Sequence, residues 1–159
     1  NILKFFCIMY VGLSVLTFQK ILLSTSPFLG LNNLLLIITI VAASDVGGYF
    51  FGRVIGGPKI YEFISPNKTW AGSIGGILLA LLVSLSLSSF FDYAFLQIIL
   101  LASMLAVSAQ AGDFFESWLK RKFKVKDSGF LLPGHGGIFD RLDGLLAAVL
   151  VYGAFMYAL

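Results

Sequence analysis

The chain has 159 residues, 58% of them hydrophobic and only 12% charged, with a net charge of +3. Its mean hydropathy is +0.95. Soluble domains carry about 25% charged residues, so this composition excludes a water-facing surface over most of the molecule, and the small basic excess excludes a nucleic-acid binder. Cys7 is the only cysteine, which rules out an internal disulfide and a cysteine metal cluster. The chain begins at Asn1, so it is expected to be a piece of a longer protein.

A membrane helix needs roughly 20 mostly apolar residues. In chain order the runs are Ile2–Leu23, Leu34–Phe51 around Asp45, Gly72–Phe91, Tyr93–Gly112, and a last one from about Asp140 or Gly144 to Leu159. The expected fold is therefore all-α: a polytopic transmembrane protein of about five spans. The third and fourth runs, with only Asp92 between them, should form a tight helical hairpin. No repeat or linker divides the chain, so residues 1–159 are expected to be a single transmembrane domain. Within it, residues 1–33 form an N-terminal span and loop, and 34–159 the core.

Five spans alternate sides. The N-terminus, loop 52–71 and loop 113–143 then share one side and carry ten of the eleven Lys and Arg; only Lys20 lies opposite. By the positive-inside rule the two long loops face the cytoplasm.

Several acids are out of place in such a chain. Asp45 lies inside a span, where an ionisable group costs a few kcal/mol; it faces either a functional cavity or a structural ion pair. Asp113 closes the fourth run, whereas Asp140 and Asp143 open the fifth at i,i+3 spacing, on one helical face. Helix capping accounts for Asp140. It does not account for Asp113, expected at a helix C-terminus. Carboxylates converging at a membrane face repel unless a cation lies between them, and oxygen-only ligands suit Mg²⁺ or Mn²⁺.

Between these acids run Lys120, Arg121, Lys122, Lys124 and Lys126, a basic stretch that attracts anionic lipid. Next comes Leu132-Pro133-Gly134-His135-Gly136-Gly137, a tight turn whose N–H groups can cradle phosphate. The turn alone leaves His135 as proton carrier, phosphate donor or turn stabiliser, the last two being favoured. Ser65-Pro66-Asn67-Lys68-Thr69-Trp70 precedes the third run. It offers either a helix N-terminal anion site or an N-cap with an interfacial Trp.

The stretch from Ser117 to Asp143 contains Lys120-Arg121, Lys126-Asp127, His135-Gly136-Gly137 and Asp140-Arg141-Leu142-Asp143 at fixed spacing. It resembles the signature of the phosphatidate cytidylyltransferases (CDP-diglyceride synthases) without a mismatch. Ser44-Asp45 through Gly52-Arg53, and Ser65 to Trp70, look like the same family; Ala71 departs from it, where an acid or glutamine is frequent.

The resemblance implies Mg²⁺-dependent transfer of CMP from CTP to phosphatidic acid, giving CDP-diacylglycerol and pyrophosphate. It also implies a homodimer among membrane lipids, with K⁺ as a possible second metal, and a multi-pass protein of the bacterial inner membrane. Asp113 and Asp140 are the implied metal ligands, with Asp143 beside them. Lys126, Asp127, His135 and Arg141 form the expected catalytic group. Asp45, Ser65, Lys68, Thr69, Lys120, Arg121, Gly136 and Gly137 form the expected substrate-binding group.

Three alternatives compete with this reading. The CDP-alcohol phosphatidyltransferases share clustered aspartates, but their longer Asp-Gly…Ala-Arg…Gly…Asp…Asp pattern is absent. A transporter built around Asp45 fits the one-sided basic loops poorly. The third is an inactive, truncated member of the same family.

Overall fold

The computed structural model describes residues 2–23, 27–91, 93–125, 128–129 and 137–158. It is helical apart from one small hairpin. In chain order the elements are α1 (Ile2–Leu22), α2 (Pro27–Val54), β1 (Lys59–Tyr61), β2 (Ser65–Thr69), α3 (Trp70–Ser86), α4 (Ser88–Phe91), α5 (Phe95–Lys122) and α6 (Phe139–Ala158). Helices α1, α2 and α5 are long and apolar enough to cross a membrane, and α3 is a shorter apolar helix. Together they make an all-α transmembrane protein.

The helix boundaries depart from the hydropathy runs in instructive ways. Helix α2 starts at Pro27, seven residues before the expected run; proline is tolerated in the first turn, where its missing N–H has no intrahelical partner. The third run breaks at Leu87 into α3 and α4. Helix α5 continues past Gly112 to Lys122, because 113–122 holds no glycine or proline to stop it. Its 28 residues span about 42 Å at 1.5 Å per residue, more than the roughly 30 Å hydrocarbon core. Lys120, Arg121 and Lys122 occupy its last turn, where positive charge suits the helix dipole. It ends with Lys124 in the left-handed region at φ 56, as Val125 N–H donates to Lys120 O at 3.0 Å.

Loop 52–71 also holds structure that hydropathy did not indicate. Gly56 and Gly57, at φ 64 and 95, turn the chain out of α2 into an antiparallel hairpin pairing Lys59 with Thr69 and Tyr61 with Ser65. Thr69 then caps α3, its hydroxyl accepting from Gly72 N–H at 3.1 Å.

Small residues set the closest helix contacts. Ser44, Gly48 and Gly52 on α2 meet Gly72 and Gly76 on α3, each series at four-residue spacing. A Cβ on Gly72 would lie 2.6 Å from Gly48 O, and one on Gly76 2.6 Å from Ser44 O. Where lipid surrounds the helices, hydrophobicity does not favour helix association, so backbone contact of this kind supplies it. Gly112 of α5 packs the same way, 2.6 Å from Asp143 O of α6 for an added Cβ. The core between α2, α5 and α6 is apolar and includes Leu36, Ile40, Ile98, Leu105 and Val149. At one end of the bundle Tyr93 donates to Asn33 Oδ1 at 3.1 Å and shares a 2.8 Å hydrogen bond with the buried Tyr152.

Gly76→Val should therefore separate α2 from α3 and lower detergent-solubilised stability by about 1–3 kcal/mol, the usual range for overpacking. Gly12→Val on α1, where nothing lies within 4 Å, should leave the melting temperature unchanged.

Candidate functional site

At the other end of the bundle, five elements enclose a cavity of about 390 Å³. Helix α2 contributes Asp45 and Tyr49, the hairpin Ile60, Asn67, Lys68 and Thr69, and α3 Ser73. Helix α5 adds Gln110 and Asp113, and α6 adds Asp140, Arg141 and Asp143.

The extension of α5 places these groups. Because the helix does not end at Gly112, Asp113 lies within it, and the expectation of a carboxylate at a helix C-terminus is corrected. Three residues on, Glu116 falls on the same face. Asp143 reaches this face from α6 across the Gly112 contact. One carboxylate oxygen each from Asp113, Glu116 and Asp143 lie within 4.8 Å of one another. Glu116 is only 2% exposed. Its Oε2 accepts from Lys120 Nζ at 3.0 Å, while its Oε1 is buried with no partner. An unpaired buried carboxylate oxygen is costly. The donor set, all oxygen and open at that atom, fits a hard divalent cation.

Two lysines supply positive charge. Lys68 pairs with Asp113, and its ammonium lies 4.1 Å from the centre of the Phe114 ring. Lys120 bridges Glu116 and Asp140, 2.9 Å from Asp140 Oδ1. Asp140 also accepts from the backbone N–H of Ser128 at 2.9 Å and of Gly137 at 2.7 Å. Asp140 precedes the apolar run that begins at Gly144. Burial alone would raise its pKa, but the hydrogen bonds from Lys120 and the two amides outweigh that and hold the carboxyl well below the usual range. One carboxylate thus joins residue 128 to residue 137. Gly137 permits the approach, since a Cβ there would lie 2.8 Å from Gly129 N.

A polar floor closes the cavity. Ser73 donates to Gln110 Oε1, and Gln110 Nε2 donates to Ser44 Oγ at 3.2 Å and to Ser73 O at 3.1 Å. This joins α2, α3 and α5 through one amide.

Among the residues singled out from the sequence, Asp45, Lys68, Thr69, Asp113, Asp140, Arg141 and Asp143 line the cavity. Lys120 and Gly137 hold Asp140 from behind. Ser65 and Arg121 lie off the lining, Ser65 on β2 and Arg121 donating to Ile64 O at 3.3 Å. Lys126, Asp127, His135 and Gly136 lie outside the described residues. Sequence reasoning missed Glu116 and Gln110. The signal for Glu116 was its i+3 spacing from Asp113, legible only with α5 continued past Gly112; Gln110 already lay inside the expected run, and as an uncharged amide it gave no signal of its own.

A model of the cytidylyltransferase family matches residues 1–159. The phosphatidate cytidylyltransferase of Brucella suis biovar 1 is 44% identical over 140 residues, covering 87% of this chain and 51% of the relative. Those of Staphylococcus aureus and Staphylococcus saprophyticus are 42% and 39% identical over 146 and 143 residues, each covering 89% of this chain and 54% of the relative. The chain thus spans about half the length of the curated relatives it matches.

Asp140→Ala should release Ser128 and Gly137 together. Hydrogen–deuterium exchange at both amides should quicken by about tenfold or more, the equivalent of about 1.4 kcal/mol, a typical worth for a hydrogen bond to a charged group.

Proposed function

The chain belongs to the cytidylyltransferase family, and on that premise we propose that it carries the site where CMP passes from CTP to phosphatidate, giving CDP-diacylglycerol and pyrophosphate. The observation that supports this best is the buried, unpaired Oε1 of Glu116 beside Asp113 and Asp143, in a cavity also lined by Lys68 and Arg141. Such a constellation suits a phosphate-rich substrate accompanied by a divalent cation.

In this reading a phosphate oxygen of the lipid attacks the α-phosphorus of CTP. A new P–O bond forms, the bond from the α-phosphorus to the bridging oxygen breaks, and pyrophosphate leaves with that electron pair. The attacking oxygen is already anionic near neutral pH, so no base is required. The residues' work is positioning and offsetting repulsion between two anions. Lys68, Arg141 and the N–H-rich start of α3 hold phosphate oxygens. Gln110, locked by Ser73 and Ser44, sets the depth to which a ligand enters. Asp113, Glu116 and Asp143 would hold Mg²⁺, with Asp140 available if Lys120 moves away. When bound, the metal supplies charge neutralisation on the phosphates. Lys126, Asp127, His135 and Gly136 complete the proposed set through the His-Gly-Gly and Lys-Asp elements of the sequence. A cytoplasmic orientation of the cavity in a bacterial inner membrane, and a homodimer, belong to the same proposal. The first rests on the basic loops.

The test uses the full-length protein and radiolabelled CTP. Label should enter lipid only when phosphatidate and Mg²⁺ are both present. Glu116→Gln should reduce incorporation at least 10–100-fold, the loss typical of disturbing a metal site, and raise the Mg²⁺ concentration needed for half-maximal rate. Wild-type incorporation unaffected by chelation, or a Glu116→Gln enzyme with normal Mg²⁺ dependence, would remove the carboxylate site from the reaction.

A further inference from the structure

The β1–β2 hairpin has two unlike faces. Ile60, Lys68 and Thr69 line the cavity, whereas Tyr61 and the turn residue Phe63 are 56% and 82% exposed. A two-stranded hairpin is marginal on its own in water, and an exposed phenylalanine at its tip adds nothing to the fold. The tip is nevertheless held in place, because Arg121 at the end of α5 donates to Ile64 O at 3.3 Å. That contact brings the apolar tip beside a basic, partly apolar segment. Arg121, Lys122 and Lys124 are exposed there, as are Phe123 and Val125. Lys59 is exposed on β1, and the turn's one acid, Glu62, is exposed as well. β2 runs without a break into α3, whose first residue, Trp70, is 54% exposed. Tryptophan at the end of an apolar helix favours the headgroup level of a bilayer, so the hairpin emerges at that depth.

We propose that the hairpin tip and the basic end of α5 together form a docking surface for the anionic headgroup layer of the membrane that the helices cross. Phe63 and Tyr61 seat at the acyl boundary, and Lys59, Arg121, Lys122 and Lys124 meet lipid phosphates. Charge complementarity selects this occupant: three exposed cations at the end of α5 and Lys59 on β1 stand against one acid in the turn, and basic juxtamembrane residues are drawn to anionic lipid. Continuity with α3 fixes the same depth independently. Seated in this way, the hairpin is a wall with lipid on one face and the cavity on the other. A lipid phosphate then reaches Lys68 by following β2, a consequence that rests on the function proposed above.

The test places a cysteine at the tip (Phe63→Cys with Cys7→Ser) and labels it with a polarity-sensitive fluorophore. The protein is reconstituted in nanodiscs of phosphatidylcholine with or without phosphatidylglycerol. Emission should shift to the blue and be quenched by lipids spin-labelled near the headgroup, about twofold more strongly in the anionic discs. Arg121→Glu with Lys122→Glu should erase that difference. Equal quenching by aqueous iodide in both lipids, without lipid-borne quenching, would overturn the proposal. So would protection that follows the number of protein copies per disc rather than lipid charge, because a second copy would then occupy the surface. The readout does not use turnover: lipid quenching without CTP incorporation would retain this surface and reject the proposed reaction.

Discussion

Mutual repulsion among carboxylates at the end of a helix bundle is the constraint around which the rest of this structure is arranged. Asp113, Glu116 and Asp143 come within 4.8 Å of one another, and Asp45 and Asp140 line the same cavity. At low effective dielectric, like charges at such distances are strongly unfavourable. The fold answers with Lys68 on Asp113 and Lys120 between Glu116 and Asp140. Neither lysine reaches Glu116 Oε1. The two lysines thus offset Asp113, Asp140 and one oxygen of Glu116, while the buried Glu116 Oε1 stays without a partner, the arrangement expected of a site that takes up a further cation.

Holding charges in such a cluster requires backbones that do not yield. Glycine contacts meet that requirement on both sides of α5. Ser44, Gly48 and Gly52 against Gly72 and Gly76 fix α2 and α3, and Gly112 against Asp143 O fixes α5 on α6. The same contacts that hold the helices together therefore set the separation of Asp113 from Asp143. Gln110 adds direction, since its amide joins α2, α3 and α5 one turn below Asp113. A bundle held by side-chain interdigitation alone would offer more ways to repack.

Much of this was legible in the residues, and the remainder was obscured for identifiable reasons. Hydropathy runs located the apolar helices because lipid imposes one strong requirement on composition and length. They misplaced the ends of α2 and α5, because a helix continues wherever the backbone allows, whether or not its side chains remain apolar. The short end of α5 in that reading hid the Asp113-x-x-Glu116 spacing. The hairpin was hidden because Pro66 and Asn67 interrupt residues 59–69 and its strands are only three and five residues long. Its pairing depends on the turns at Gly56 and Gly57 and on the Thr69 cap. Asp45, Asp113, Asp140 and Asp143 stood out as acids inside or at the ends of apolar runs, and Lys68 as a cation just before the start of one. Gln110 did not, since a lone uncharged amide in a span carries little signal without its partners.

Asp140 shows how one side chain can link local structure to the site. Its carboxylate accepts from the amides of Ser128 and Gly137 and from Lys120, so it joins the two flanks of the glycine-rich segment to α5. Lys120 in turn reaches Glu116. A cation taken up at Glu116 competes with Lys120 for that carboxylate, and any movement of Lys120 alters the charge facing Asp140. If a cation occupies the acidic cluster as proposed, its occupancy and the hold on residues 128 and 137 would be coupled through a single ammonium group. The coupling is reciprocal: whatever draws residues 128 and 137 away from Asp140 also changes how firmly Glu116 retains its lysine.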